Sequence, residues 1–135
     1  MRTNENHRYP LGEHEREKIV SRTGRSLADL TLENIRAGVV KANDFTIHPE
    51  TLRAQAEIAE QAGFPQLAAN LRRAAELALV PNEKVLAAYE ALRPQRVTYE
   101  QMLALADELE REYGARENAR LIREAAQVYK ERGLV

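Results

Sequence analysis

The sequence contains no cysteine and no tryptophan, and neither sign of charge dominates. Without cysteine the chain cannot have a disulfide scaffold, thiolate-ligated zinc or a cysteine nucleophile. Its 20 basic and 21 acidic residues give a formal net charge of −1, so the usual electrostatic basis for binding nucleic acid or an anionic membrane is missing. No apolar run reaches the roughly 18 residues of a membrane span, and no signal-peptide pattern opens the chain. We therefore expect a soluble, cytoplasmic protein that binds neither nucleic acid nor membrane.

Alanine dominates the apolar residues that are present. Apolar residues make up 44 % of the 135 positions, but 21 positions are alanine, so the core available per residue is thin. Residues 1–25 have little apolar periodicity and predict an extended N-terminal arm, whereas residues 26–135 predict a single helical domain. A long arm joined to a thin core indicates a chain that depends on a partner.

The arm contains the segment Tyr9-Pro10-Leu11. Proline disfavours helical backbone in the residue before it, so Pro10 favours an extended Tyr9. We expect this segment to lie extended against the surface of another chain, which makes Tyr9, Pro10 and Leu11 the candidate interface residues. A disordered terminus is the alternative.

The remaining residues predict an all-α fold with about five main helices and a short helix from Thr31 to Ala37. Proline or a capping residue marks the helix starts, and glycine or proline marks the ends. The main helices are predicted to begin at Pro49, Pro65, Asn82, Thr98 and about Ala115, and to end at Gly63, Pro81, Arg93-Pro94, Gly114 and Gly133. Helical periodicity predicts these inner faces: Leu52, Ala56, Ala59; Leu67, Leu71, Ala74, Ala75, Ala78; Val85, Leu86, Tyr89, Leu92; Met102, Ala106, Leu109, Tyr113; and Ala119, Ile122, Ala126, Tyr129.

The last two helices have complementary charge. Residues 98–113 carry five acidic residues and one basic residue, whereas residues 115–132 carry five basic and three acidic residues. With about one turn residue between them, they should pair as an antiparallel hairpin, although exposed ion pairs contribute only about 0.2 to 1 kcal/mol each. No segment predicts a β-strand.

Histidine and serine provide no recognisable reactive site. His7, His14 and His48 lack the i,i+4 helical spacing of a two-histidine zinc site, so we expect no metal site. The Glu13–Glu15 segment around His14 is interpreted as a solvated charge cluster. Ser21 and Ser26 have no nucleophile-elbow glycines beside them, so no acyl-transfer centre is expected.

Other polar patterns have ordinary structural explanations. Thr23-Gly24-Arg25-Ser26 resembles the end of a phosphate-binding loop, but it lacks the lysine, the first glycine and a preceding strand. In the helix that begins at Thr98, the carboxylates of Glu108, Glu110 and Glu112 are expected on the solvent side. At least three of the four helical tyrosines are expected in a core or an interface; the four are Tyr89, Tyr99, Tyr113 and Tyr129.

Two functions that require no family resemblance remain open at this stage. A stand-alone helical regulator or DNA-binding module would use Arg72, Arg73, Arg93 and Arg96 on phosphates, although neighbouring acidic residues weaken that hypothesis. A plain homo-oligomeric helical adaptor is the other.

Several segments together resemble one known family, and they span about residues 9 to 132. The chain is similar to the small (gamma) subunit of adenosylcobalamin-dependent diol dehydratase and glycerol dehydratase. The segments are Tyr9-Pro10-Leu11, Thr23-Gly24, Leu30-Thr31-Leu32-Glu33-Asn34, Pro49-Glu50-Thr51-Leu52-Arg53, Gln55-Ala56-Glu57-Ile58-Ala59, Pro65-Gln66-Leu67-Ala68, Arg72-Arg73-Ala74-Ala75-Glu76-Leu77, Ala91-Leu92-Arg93-Pro94, Ala106-Asp107-Glu108-Leu109-Glu110 and Tyr113-Gly114.

The resemblance implies a helical subunit of a carbon–oxygen lyase (hydro-lyase) complex used in propanediol utilization. It implies a heterohexamer, a dimer of heterotrimers, with a large (alpha) and a medium (beta) subunit. Adenosylcobalamin would be held mainly by those subunits, and the complex would convert a 1,2-diol to an aldehyde and water by a radical mechanism. No catalytic, cofactor-binding or metal-binding residue is assigned to this chain, whose expected role is to stabilise the assembly.

The resemblance places the complex in the cytoplasm or within a bacterial microcompartment. Some family members carry a longer N-terminal extension than the residues before Tyr9 here, and such extensions are associated with solubility and packaging. The preferred diol is not implied, because the discriminating pocket lies on another polypeptide.

Overall fold

Seven α-helices and three 3-10 turns make up the regular structure of residues 6–135, the part of the chain that the computed structural model describes. No β-strand occurs in that part, so the predicted all-α class is confirmed. The five longest helices, α3 to α7, confirm the predicted number. The helices are α1 (Leu11–His14), α2 (Leu32–Arg36), α3 (Pro49–Gln61), α4 (Pro65–Leu77), α5 (Asn82–Ala91), α6 (Tyr99–Tyr113) and α7 (Arg116–Arg132).

Helix boundaries follow local signals in the sequence. Pro49 begins α3, and the Nδ1 atom of His48 accepts a hydrogen bond from the Glu50 N–H at 3.2 Å. At α6, which was predicted to begin at Thr98, Thr98 and Gln101 form a reciprocal capping box, with hydrogen bonds of 3.2 and 2.8 Å. Asn82 was predicted to cap α5, but it is the first residue of that helix and Pro81 takes the capping position.

The chain divides by its internal contacts into two compact units, Met1–Ala75 and Glu76–Val135, called here the first and the second unit. This division falls inside α4, at a different place from the predicted boundary between an arm and a domain at residue 25. Contacts within a folded chain do not establish which segment folds alone, so the predicted domain boundary stays a prediction.

The N-terminal segment is only briefly extended. The first five residues of the predicted arm lie outside the described residues. Pro10 has an extended backbone, and the Tyr9–Pro10 peptide bond is cis. From Leu11 the chain turns instead into α1 and then into a 3-10 turn at Arg16–Lys18. Residues 11–18 are therefore helical turns where the sequence predicts an extended arm.

The first unit has a small core built from alanine. Ala56 and Ala59 of α3 and Ala68 of α4 are buried together, and Leu71 packs against them. The predicted α3 face is confirmed, since Leu52 is buried as well. On α4, Ala75 of the predicted face is buried, and so is Ala68, which was not predicted. The predicted Leu67 is instead half exposed.

The second unit has a larger core, formed mainly by α6 and α7. Met102 and Leu109 are fully buried, and Ile122 is nearly so. The predicted faces of both helices are confirmed, and Gly114 links them in the left-handed conformation, with φ of 65°. The full buried set is Val80, Met102, Ala106, Leu109, Ala115, Ala119, Ile122 and Ala126.

Ion pairs join α6 and α7 as their complementary charges predict. The Arg123 guanidinium lies 2.6 Å from an Asp107 oxygen and 2.7 Å from a Glu110 oxygen. Within α7, Arg120 lies 3.4 Å from Glu124, an i,i+4 contact. These pairs are exposed, so they contribute less than the apolar contacts beneath them.

The predicted inner face of α5 is partly wrong. Val85 and Leu92 pack on the second unit's core, and Ala88 is buried between them in sequence. The predicted Leu86 and Tyr89 are instead 69 % and 61 % exposed. The small side chain of Ala88, the residue before Tyr89, is buried instead.

Candidate subunit interface

The three predicted interface residues differ in their exposure. Tyr9 is 76 % exposed, Pro10 is half-buried, and Leu11 is 8 % exposed. The ring of Tyr9 is therefore available to an outside partner, whereas Leu11 is buried. Their role as an interface stays a prediction.

The conformation around Tyr9 is held by Glu15, which is buried. One Glu15 carboxylate oxygen accepts a hydrogen bond from the Arg8 N–H at 2.7 Å, and the other lies 3.1 Å from His7 Nδ1. Lys18 Nζ lies 3.4 Å from the same carboxylate. The Arg8 N–H and His7 lower the pKa of Glu15 from its ordinary 4.5 to about 2. The interpretation of the Glu13–Glu15 segment as a solvated cluster is therefore wrong for Glu15.

Asp44 is a second buried carboxylate and organises residues 21–46. It accepts hydrogen bonds from the Lys41 N–H at 2.8 Å and from the Thr23 hydroxyl. Because the Thr23 hydroxyl donates to Asp44, its oxygen accepts from the Ser21 hydroxyl at 2.9 Å. The Lys41 N–H and Thr23 hold the pKa of Asp44 below its usual range, and the charge of Arg25 acts in the same direction.

This network assigns a structural role to the Thr23–Ser26 segment, which has only a weak likeness to a phosphate loop. Gly24 has φ of 83°, a left-handed conformation that glycine adopts easily. Ser26 accepts a hydrogen bond from the Asp29 N–H and so caps a 3-10 turn over Leu27–Asp29.

Most of the exposed large apolar side chains belong to the first unit. Three lie on α2 or directly after it, and two flank Thr46; the others are at the N-terminal segment and the start of α4. In the first unit they are Tyr9, Leu32, Ile35, Val39, Phe45, Ile47, Phe64 and Leu67; in the second unit they are Leu79, Leu86, Tyr89, Leu121, Val128 and Val135. Apolar side chains concentrated on a surface are typical of a protein interface.

Glu76 holds the start of α7 in the second unit. Its two carboxylate oxygens accept hydrogen bonds from the N–H groups of Glu117 and Asn118, both at 3.0 Å. The Asn118 side-chain amide donates to the same carboxylate at 2.7 Å. Glu76 thus supplies the cap that α7 lacks locally, since Ala115 has no side-chain acceptor.

The helical tyrosines have packing roles in three cases out of four, as predicted. Tyr99, Tyr113 and Tyr129 pack on the core of the second unit. The Tyr129 hydroxyl donates a hydrogen bond to the Leu92 carbonyl at 2.6 Å, and Lys130 Nζ lies 4.4 Å from the centre of the Tyr99 ring. Tyr89 is the exposed one.

Carboxylates of α6 form ion pairs at its surface. Glu108 pairs with Lys84, Glu110 with Arg123, and Glu112 lies 3.3 Å from Arg111. Lys84 also has a raised pKa because Glu108 accepts its hydrogen bond. The arrangement is that of a charged outer helix face.

No three histidine or carboxylate side chains in residues 6–135 lie together so that they could hold a metal ion. His7 contacts Glu15 and lies 3.7 Å from Glu57, and His48 caps α3. Across the same residues, no helix is long and apolar enough to cross a membrane. An open hollow of about 350 Å³ near the start of α6 is lined by polar and apolar groups in equal measure, among them Arg96, Gln101 and Val97.

The four arginines of the DNA-binding alternative do not form a free basic surface. Arg72 pairs with Glu60, and Arg73 lies 3.4 Å from Asn70. Arg93 and Arg96 both pair with Glu90, at 3.1 and 3.3 Å. Carboxylates thus pair with three of these four arginines, which lowers the positive charge that phosphate binding would require.

Sequence reasoning missed the three carboxylates that organise the chain, Glu15, Asp44 and Glu76. A weak signal existed for Asp44, which stands three residues after Lys41 at the start of a turn. The partners of Glu15 and Glu76 lie up to 42 positions away, so no local pattern indicates them.

Comparison with known proteins gives one consistent result. The family model described as dehydratase small subunit matches residues 4–135. Two curated relatives are the propanediol dehydratase small subunits of Citrobacter freundii and of Salmonella typhimurium strain LT2, which are 48 % and 49 % identical over 124 residues. In both cases the alignment covers 92 % of this chain and 72 % of the relative.

Proposed function

We propose, from the premise that this chain belongs to the dehydratase small-subunit family, that it is the small, non-catalytic subunit of an adenosylcobalamin-dependent diol or glycerol dehydratase. Its partners would be a large and a medium subunit in a dimer of heterotrimers. The complex would eliminate water from a 1,2-diol to give an aldehyde, which is the reaction of a carbon–oxygen hydro-lyase. The match to the relatives over 92 % of the chain carries this proposal.

The proposed role of this chain is assembly. Bound adenosylcobalamin would supply the radical chemistry, on residues of the other subunits. No residue here is assigned to the cofactor or to the diol. The acidic and basic side chains described above are engaged in helix caps, turns and ion pairs, which supports a structural role for this chain.

Tyr9 is the first residue that we place at the interface. Its ring is exposed while Glu15 fixes the backbone of the preceding Arg8 at 2.7 Å. A fixed aromatic side chain buries a large area at a low entropy cost, so it suits an anchor in a partner pocket. Pro10, which is half-buried, and Leu11, which is buried, would support Tyr9 from behind.

The test is reconstitution of the complex. The chain is coexpressed with a large and a medium dehydratase subunit from the same organism. Aldehyde formation from propane-1,2-diol and from glycerol is then measured with and without adenosylcobalamin and this chain. Activity that needs every component supports the proposal. Full activity without this chain would reduce its role to an accessory one, and absence of copurification would refute it.

A point substitution tests the proposed role of Tyr9 at the interface more specifically than a deletion does. Removing residues 1–25 would also remove Thr23 and Arg25, which hold Asp44. Tyr9→Asp should weaken copurification of the large subunit, whereas Tyr9→Phe should preserve it, because the ring and not the hydroxyl makes the proposed contact. Equal copurification of both variants would contradict the anchor role.

A further inference from the structure

His7 lies between two carboxylates of the first unit. Its Nδ1 atom is 3.1 Å from a Glu15 oxygen, and its Nε2 atom is 3.7 Å from a Glu57 oxygen. Glu15 follows α1, whereas Glu57 lies on α3, so the imidazole ring connects the N-terminal segment to a main helix. Only 16 % of the His7 side chain is exposed, which limits the screening of these contacts by water.

The Glu15 contact determines which nitrogen of a neutral His7 ring carries the proton. The pKa of Glu15 is lowered to about 2, so near neutral pH this carboxylate is ionised and can only accept hydrogen bonds. Nδ1 must therefore be the donor. A neutral imidazole has one N–H group, so the lone pair of Nε2 then faces the Glu57 carboxylate, and two acceptors lie opposite each other.

Protonation of the ring removes this mismatch. Imidazolium is a donor at both nitrogens, so the same geometry directs one N–H at Glu15 and the other at Glu57. At 3.7 Å the contact with Glu57 is then an ion pair rather than a hydrogen bond. Histidine ordinarily gains its charge between about pH 8 and pH 5, where carboxylates ordinarily stay ionised.

The charged groups around Glu15 oppose this protonation only in part. Lys18 Nζ lies 3.4 Å from the same Glu15 oxygen that faces His7, so its charge disfavours a second cation there. Arg8 contributes its backbone N–H to the other Glu15 oxygen. The charge of Glu15 is therefore shared between His7 and Lys18, and a further carboxylate is needed to favour the charged ring.

Glu57 is the carboxylate of α3 that faces the ring. The charged residues one turn away on the same helix are Arg53 and Glu60, and they form ion pairs with Glu50 and Arg72. Their charges are opposite in sign and so largely offset each other at Glu57. Within residues 6–135, two carboxylates thus act on the ring against one ammonium group.

We propose that His7 is a pH-sensitive switch that holds the N-terminal segment against α3 through Glu57 when the ring is protonated, and that keeps only the Glu15 contact when the ring is neutral. The segment includes the exposed Tyr9, two residues further along the chain. The switch sets how firmly Tyr9 is positioned as the pH changes. It goes beyond the proposed function and does not depend on it, since every group involved belongs to this chain.

A spin label beside His7 tests the switch in the full chain. The sequence has no cysteine, so Asn6→Cys, at an exposed position, gives a single attachment site for a nitroxide. The electron spin resonance spectrum gives the ratio of immobile to mobile label. An ion pair of this exposure should raise that ratio by about 1.4- to fivefold between about pH 8 and about pH 5.5. Circular dichroism checks that the helices persist at both pH values.

Three substitutions in the labelled chain identify the groups responsible. His7→Gln should abolish the rise, and Glu57→Gln should reduce it, because the first removes the proton and the second removes its acceptor on α3. His14→Gln is the matched control, an exposed histidine of the same segment, and should show the full rise. No rise in the otherwise unaltered chain, an undiminished rise in His7→Gln or Glu57→Gln, or a lost rise in His14→Gln would overturn the proposal.

Nitrogen NMR of the imidazole rings tests the proton position separately. The neutral ring of His7, observed at about pH 8, should carry its proton on Nδ1, the atom that faces Glu15. The His7→Gln variant identifies the His7 signals by their loss. A proton on Nε2 of the neutral ring would already supply the donor for Glu57 without protonation, and the switch would be refuted.

Discussion

The two units of this protein order their chains by different means. In Glu76–Val135, large side chains such as Met102 and Leu109 are fully buried between α6 and α7. In the described part of Met1–Ala75, the buried cluster consists of three alanines with Leu71 against it, and many large apolar side chains are exposed. The buried carboxylates Glu15 and Asp44, each held by backbone N–H groups and side chains, lie in the first unit.

This difference separates what specifies a fold from what stabilises it. A buried alanine removes about one methyl group from water, worth about 0.8 kcal/mol, whereas a buried leucine or methionine is worth about 1.5 to 3 kcal/mol. The first unit therefore gains less from burial and depends more on directed hydrogen bonds. Its remaining apolar side chains can contribute fully only when a partner covers them, which agrees with the role of a small subunit.

The largest effect should come from the core of the second unit. Leu109→Ala should lower the free energy of unfolding by about 2 to 5 kcal/mol, because it removes a fully buried side chain and leaves a cavity. Leu71→Ala removes the same atoms from the half-buried position beside the alanine cluster and should cost clearly less. Urea unfolding of the full chain measures both. Equal costs would contradict the proposed difference between the two units.

A smaller effect is expected at the cap of α7. Glu76→Gln loses the charge and at least one acceptor for the Glu117 and Asn118 N–H groups, which should cost about 1 to 3 kcal/mol. Glu83→Gln is the matched control, since it removes a charge from the first turn of α5, where the helix dipole contributes only about 0.3 to 1 kcal/mol. Thermal unfolding of both variants compares them. If Glu83→Gln lowers the stability as much as Glu76→Gln does, the hydrogen bonds of Glu76 contribute no stability beyond that of its charge.

The same comparison explains how far the sequence could be interpreted. Helix ends were predictable because proline, glycine and capping threonine act on their own neighbours, as at Pro49, Thr98 and Gly114. The α6 and α7 faces were predictable because Met, Leu and Ile stand out from charged neighbours at helical spacing.

The failures follow from alanine and from distance along the chain. On α5 and α4, Ala88 and Ala68 are buried while the larger Leu86 and Leu67 are exposed, and a pattern based on hydrophobic size cannot foresee that. The carboxylates were missed because each contacts groups that the fold, not the sequence, brings near. The exposed Tyr9 lay within a predicted interface, whereas the exposed apolar side chains of α2 and the following turn did not.

The smallest expected effect is the loss of the stabilisation by Glu15, in the first unit, at acid pH. The pKa of Glu15 is lowered from 4.5 to about 2, so the ionised form is favoured in the folded state. The resulting stabilisation is complete above the unfolded pKa and is lost as the pH falls from about 4.5 toward about 2. Glu15→Gln cannot ionise, so the stability difference between the unaltered chain and this variant should be largest at neutral pH and shrink across that range.

The Arg8 amide proton reports this loss directly, because it donates to Glu15 at 2.7 Å. Its NMR chemical shift should change across the same pH range in the unaltered chain and in a Glu13→Gln control, where only an exposed neighbour is altered, and stay flat in Glu15→Gln. A titration of the Arg8 amide in all three chains would mean that another group fixes the N-terminal segment. The first unit would then owe its order less to buried carboxylates, and the exposed Tyr9 would lose the fixed backbone on which its proposed role as an anchor depends.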